Sequence, residues 1–512
     1  MDVTRSNFEA TLAVIKQAID ECDFVAIDAE MTGLHSESTQ RAHTYDTIQQ
    51  RYAKYRMSAQ DFLMNQYGIC TFKWCGETQS YEAKPFNIWL FPQQGTFALE
   101  RCNKIQISSL EFLANNGFDF NKWIKDGVSF LSHDEEARIR RKLDLKAERE
   151  YLEVPQELVE WMSQSMASVS EWLQNSSEKQ TSIATESSFH RRLIHQEVLK
   201  RFNGFLATEG KVKEVIITRM TAEERTQRQA NKNSEAEREL DSLIGFRKVI
   251  DWLREARKPV IGHNMLLDLC HTYQSFNNNL PESVEDFKTG LMKMFPLVYD
   301  TKHIASSEPE LTRRIPRTGL GDLVAVAREA PFGLPNVVCA PGFDGYTGPT
   351  QRFHEAGYDA YSTGLVFVKM ISRVEEYTEG TRIDFELRSL KRLKNCLHMM
   401  RSDFACIKLE TEEERPDRDH IFRIFNLPTT WRSNDVREAC GRIGFEVDNI
   451  AWIDSSSAYI VLDPDIVEDA EIKILEAIKS EELEFEIQKY WEYIDAYEGT
   501  DGPDKKRAKT EA

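Results

Sequence analysis

The chain has 512 residues, 41% of them hydrophobic, and carries 84 acidic against 65 basic side chains for a net charge of −19. That length predicts several domains, since single cores stop growing at roughly 250–300 residues. The charge excludes a broadly basic nucleic-acid surface and leaves only local contacts helped by bound cations. No run approaches the ~18–20 apolar residues of a membrane span, and the opening MDVTRSNFEA is not a signal peptide. Nine scattered cysteines without a Cys-x-x-Cys pair indicate neither a zinc site nor a disulfide framework, and they fit a reducing compartment.

In chain order, Phe8, Leu12, Ile15 and Ile19 recur at helical spacing, and Phe24 to Ile27 reads as a short buried strand. Tyr67 to Trp74 and Tyr81 to Phe91 predict an antiparallel pair around a Gly-containing turn, followed by a helix over Ile107 to Trp123. Residues 155–222 predict a small module: two helices split by the polar loop Asn175 to Ser188, then a strand in VKEVIITRM. Residues 223–239 read as a charged helical connector. Strand–helix alternation then returns. Pro259 to Gly262 leads into a helix from Asn264, Leu297 to Tyr299 is a strand, and helices follow at Leu320 to Arg328 and Gly357 to Val374. Residues 1–150 and 240–405 are therefore expected to form one discontinuous α/β domain, 415–495 another, and 496–512 a disordered tail.

Four segments carry acidic groups at the ends of apolar runs: FVAIDAEMTG, VIGHNMLLD, LVYDTK and HEAGYDAY. Asp28 and Glu30, two apart on a strand, point to one face. Alone, Asp-x-Glu is common and reads as a solvated strand end, Asp268 as a helix N-terminal carboxylate, and His354 as a packed or capping residue. Their order changes the reading. Carboxylates converging from several elements suit two cations ~4 Å apart. Asp28 would bridge both, Glu30 and Asp359 would complete the first ion, Asp268 would hold the second, and His354 would deprotonate water.

The set Asp, Glu, Asp, Asp and His is that of DEDDh 3′-to-5′ exonucleases. The chain resembles the poly(A)-specific ribonuclease family along nearly its whole length, through RSNF, IDAEMTG, QYGICTFKW, LEFLANNGFDFNKW, VIGHNMLLD, DTK and FHEAGYDAYSTG. The resemblance implies an RNase H-like mixed sheet, Mg2+ or Mn2+ on Asp28, Glu30, Asp268 and Asp359, and His354 as general base. It also implies single-stranded RNA with a free 3′ hydroxyl, preferably poly(A), as substrate, with release of AMP. Relatives that trim small noncoding RNAs keep the chemistry and change the substrate. A catalytically silent RNA- or cap-binding regulator is the reading from another class. Met31, Leu34, Leu110, Phe112, Asn264, Leu267 and Lys302 match the family's RNA path, with Met31 where members carry Phe; plain core packing suits the apolar ones equally. A homodimer through the nuclease domain is implied too.

Within 155–222, Arg191 and His195 form Arg-x-x-x-His on one helix face. This resembles the small single-strand nucleic-acid-binding domain named for that motif, and a solvated helix face is the alternative. Residues 419–463 resemble an RNA-recognition motif whose stacking positions are degraded: Arg423 and Ser457 replace aromatics and Tyr459 remains. Trp452 matches a tryptophan that stacks on the mRNA cap in the family, a cation–π contact; core packing or a dimer surface are the alternatives. KKRAK (Lys505 to Lys509) reads as a nuclear import signal, and cytoplasm, nucleus or both are allowed.

Overall fold

The computed structural model describes residues 1–36, 41–97, 101–145, 152–202, 205–348, 351–377, 379–479 and 485–499. A short strand, β1 (Asp2–Val3), and the helix Phe8–Glu21 lead into β2 (Phe24–Met31), which is followed by β3 (Met64–Cys75) and β4 (Ser80–Trp89). The first half of β2 is buried throughout, as a strand covered on both faces must be. β2, β3 and β4 pair antiparallel. The stretch predicted as one helix is two, Ile107–Asn115 and Phe120–Asp126. Gly117 breaks it at φ +80°, and the Asp119 carboxylate caps the second helix through Lys122 N–H.

The inserted module packs the helices Val159–Asn175 and Ser188–Phe202 on a three-stranded antiparallel sheet of β5 (Gln180–Ala184), β6 (Leu206–Gly210) and β7 (Glu214–Arg219), in the order β5-β7-β6. β5 lies inside the expected polar loop. Of its five side chains only Ile183 is buried, too weak a pattern to read as a strand. The charged connector is the helix Ala222–Ile244, opened by a Thr221/Glu224 capping box. Its last turn is not solvated: Leu240, Leu243 and Ile244 pack with Leu131 and Ile139.

The chain then returns to the first sheet. β8 (Val260–Gly262) joins β2 in parallel, β9 (Val298–Asp300) joins β8, and β10 (Asn336–Cys339) joins β4, giving the order β1-β4-β3-β2-β8-β9. Two cores cover the two faces, one around Ile27, Phe246 and Leu269, the other around Phe24, Phe72 and Phe367. The buried helix Ala356–Val374 crosses the second face, where a Cβ on Gly364 would meet the Phe72 ring at 2.1 Å.

A hairpin of β11 (Cys396–His398) and β12 (Cys406–Lys408) precedes the last module. Its strands β13 (Ile421–Phe425), β14 (Asn449–Trp452), β15 (Ala458–Val461) and β16 (Glu486–Lys489) run in the order β14-β15-β13-β16, with the helices Ser433–Ile443 and Val467–Lys479 on one face. The opposite face, where an RNA-recognition motif stacks bases, is covered. Tyr459 is 5% exposed and packs against His43, Tyr45 and Tyr490. Arg423 lies over Tyr493 at 4.1 Å. The seam is locked by buried Arg418, which donates to Tyr45 O, Asp403 and the Tyr490 hydroxyl. Residues 496–499 belong to the helix Tyr490–Gly499, not to a disordered tail; the rest of that tail, KKRAK included, lies outside the described residues. No helix among the described residues is long and apolar enough to cross a membrane.

Candidate active site

Each acidic residue stands where an apolar element ends. Asp28 and Glu30 project from one face of β2, opposite Gly68 and Gln66 of β3. Gly68 matters because a Cβ there would sit 1.8 Å from Ala356 O. Its absence lets the start of the helix Ala356–Val374 rest directly on the strand. Two buried amides fix that contact: Gln66 Oε1 accepts Ala356 N–H at 3.3 Å, and Asn87 Oδ1 accepts Gly357 N–H at 3.1 Å. Asp359 occupies the first turn, and its Oδ2 accepts the His354 N–H at 2.8 Å. His354 is held at φ +70°, a conformation non-glycine residues rarely adopt. The result places ligand atoms of Glu30, His354 and Asp359 within 4.8 Å of one another.

Asp268 enters from the first turn of the helix Leu266–Phe276 after β8. The turn before it is set by Asp300, a residue whose role the sequence did not disclose. Fully buried, Asp300 accepts the N–H groups of Asn264 (2.9 Å), Met265 (3.2 Å), Lys302 (2.9 Å), His303 (3.4 Å) and His398 (3.0 Å). It ties three chain segments to one carboxylate and holds Asn264 at φ +56°.

Desolvation by the cleft walls, then repulsion from Asp359, Asp268 and Glu30, raises the Asp28 pKa well above the usual carboxylate range. Glu30 is raised by the same burial and by Asp359 and Asp268. Burial pushes Asp268 and Asp359 up to about 7. Asp359 Oδ1 is buried without a hydrogen-bond partner. Hard oxygen donors, mutual repulsion and an orphaned carboxylate oxygen together fit divalent cations such as Mg2+ or Mn2+.

Comparison with known proteins adds the family. A model described as CAF1 family ribonuclease matches residues 3–367, and one described as RNA binding domain matches residues 411–496. The chain belongs to the CAF1 ribonuclease family. Among curated proteins it is 32% identical over 521 residues to the poly(A)-specific ribonuclease PARN of Homo sapiens, covering 96% of this chain and 80% of that one. It is 30% identical over 390 residues to the pre-piRNA 3′-exonuclease trimmer of Bombyx mori, covering 72% and 71%. Of solved structures, S. pombe Pop2p in its Mg2+- and Mn2+-bound form matches 77% of this chain and 96% of its own at 15% identity and a TM-score of 0.37. This CAF1-family chain is thus an exoribonuclease working from the 3′ end.

The remaining predicted residues of the nuclease divide. Phe112 is 46% exposed and meets the His354 ring edge-on at 4.5 Å between centroids. Leu34, exposed, is positioned by Gln106, whose Oε1 accepts its N–H at 2.8 Å, and Leu110 stands half-buried on the helix that Gln106 opens. Gln66, Asn87 and Gln106 escaped the sequence reading; their only signal is an amide within an apolar run. Lys302 and Asn264 flank Asp300 with half-buried side chains, and Leu267 packs partly on the core. Met31 does not line the cleft: strand alternation turns it away from Glu30 into the core, where it is 8% exposed.

Arg191 and His195 stand in the inserted module, on the helix Ser188–Phe202. Arg191 donates to Val212 O at 2.7 Å, His195 Nδ1 pairs with Thr208 Oγ1 at 2.6 Å, and both pack on Gly210. Trp452 lies on the helix-covered face, half-buried, with Nε1 donating to Ser433 Oγ at 3.0 Å.

Proposed function

We propose that this ribonuclease removes adenylates one at a time from the 3′ end of single-stranded RNA, releasing 5′-AMP. The observation that carries the reading is the convergence of Asp28, Glu30, Asp268 and Asp359 from three elements, with one carboxylate oxygen left orphaned. Two divalent ions, Mg2+ or Mn2+, would be held by these four and would supply charge neutralisation of the scissile phosphate and a lowered water pKa. His354 takes the proton of the attacking water. Burial holds its pKa below the ordinary histidine value, so the ring is neutral and ready as a base near pH 7. The water oxygen bonds to phosphorus, the bond to the preceding 3′ oxygen breaks, and that oxygen gains a proton. Phe112 and Leu34 would pack on the terminal base, and Lys302 would meet a phosphate.

The test is a gel assay of the purified protein on 5′-labelled oligoadenylate with Mg2+. A ladder shortening from the 3′ end, lost with EDTA and in Asp28→Ala, is expected. Undiminished cleavage by Asp28→Ala or His354→Ala would sink the mechanism.

A second reading, trimming of small noncoding RNAs, is favoured by the likeness to the silkworm trimmer and by the core position of Met31. Equal rates on oligoadenylate and mixed-sequence RNA would select it. Cap recognition would fall to Trp452, with its indole oriented by Ser433; unchanged cap-analogue affinity in Trp452→Ala would end that assignment. A homodimer through the nuclease domain completes the proposal, and a monomer in sedimentation at assay concentration would remove it.

A further inference from the structure

β11 and β12 form a two-stranded antiparallel pair in which His398 faces Cys406 directly and Cys396 lies two residues from His398. All three side chains therefore share one face of the hairpin. The helix Thr301–Ser307 brings a fourth group to that face, the buried His303. A ring nitrogen of His303 and the sulfurs of Cys396 and Cys406 lie within 4.8 Å of one another. A tetrahedral zinc with Zn–S bonds near 2.3 Å sets ligand atoms about 3.7 Å apart, within reach of small side-chain rotations. Both cysteines are free thiols.

We propose that His303, Cys396 and Cys406 form a second metal site, for a soft divalent cation with zinc as the match by ligand type, separate from the carboxylate cleft in its ligands. Thiolates and imidazole select zinc over magnesium, as carboxylates do the reverse. The sequence hides the site because the cysteines are ten apart across a hairpin and the histidine comes from another segment. One further observation supports it. His398, on the same face of the hairpin, has its Nδ1 buried with no hydrogen-bond partner.

The site's place gives it a consequence. The backbone N–H groups of His303 and His398 both end on Asp300, which also holds the turn leading to Asp268. A cation here would clamp the hairpin to the helix behind that turn and steady the carboxylate from outside the cleft.

The experiment titrates the full-length, reduced, metal-stripped chain with Co2+ and then Zn2+. Thiolate-to-cobalt charge-transfer absorption is expected, bleached by Zn2+ and untouched by excess Mg2+. Zn2+ should also raise the unfolding temperature. Cys396→Ser and Cys406→Ser should each weaken zinc binding at least roughly a hundredfold, whereas Asp28→Ala should keep the band. If a serine variant does not fold, the wild-type spectrum decides by itself. Absence of the band in the folded, reduced protein overturns the proposal, as does zinc uptake that survives both serine variants. A Cys396–Cys406 disulfide as the sole product of metal exposure overturns it as well.

Discussion

The nuclease cleft and the sheet face of the last module are built on opposite principles. In the cleft, four carboxylates crowd together, each with its pKa raised by burial and also by a carboxylate neighbour, and Asp359 Oδ1 has no partner. On the module's face, Arg418 is buried but surrounded: it pairs with Asp403, donates to Tyr45 O and lies 4.5 Å from the Tyr490 ring centre. Both regions bury charge. Only the first gathers charges of one sign, and that distinction separates a site suited to cations from a seam that holds two domains together.

The largest expected effect lies in the cleft. Asp28→Ala should lower the rate of 3′ shortening by roughly a thousandfold or more, while the cation-free protein unfolds at the same or a higher temperature, because a repelled carboxylate is gone. A marked drop in melting temperature would make Asp28 part of the scaffold and erase the contrast. The reverse pattern is expected at the seam. Arg418→Met should cost about 3 kcal/mol, the lower end for breaking a buried pair because Asp403 keeps some contact with water, with kcat on oligoadenylate unchanged; denaturant melts and initial rates read both. Next comes Phe112→Ala. Loss of one base-stacking ring should raise KM for oligoadenylate roughly tenfold, whereas Tyr459→Ala should leave RNA affinity alone. A loss of RNA affinity in Tyr459→Ala would mean that the seam opens to RNA.

The smallest effect concerns His271, beneath the cleft in the helix Leu266–Phe276. Neither ring nitrogen has a hydrogen-bond partner, and burial pushes its pKa down to about 3. A folded pKa below the unfolded value of about 6.5 gives stability that is complete above that value and fades as pH falls toward 3. His271→Leu should therefore flatten the acid limb of the stability curve. An unchanged slope between neutral and acid pH would place the acid sensitivity in other groups.

The positions of the catalytic set were legible because each acidic residue follows an apolar run, so strand and helix ends could be read locally. What stayed hidden depends on contacts distant in sequence. Nothing near Gly68 announces Ala356, and nothing near Tyr459 announces His43 and Tyr45. Asp300 was visible as an acid after a strand, but five backbone donors from three segments cannot be seen in LVYDTK. β5 was missed because a strand needs only Ile183 inward when its neighbours face water. The helix break at Gly117 was readable in principle: Asn-Gly in a helical pattern is a stop signal.

The discontinuous sheet also has a bearing on synthesis. Asp28 is made early and Asp359 is made 331 residues later, after the whole inserted module. At roughly 5–20 residues per second, this gap lasts on the order of tens of seconds. β2 meets its parallel neighbour β8 only after residue 262 has left the ribosome, and the helix bearing Asp359 comes last. A nascent chain therefore carries an incomplete ligand set along its own message, and the enzyme first becomes able to cut RNA only after residue 359 has been made.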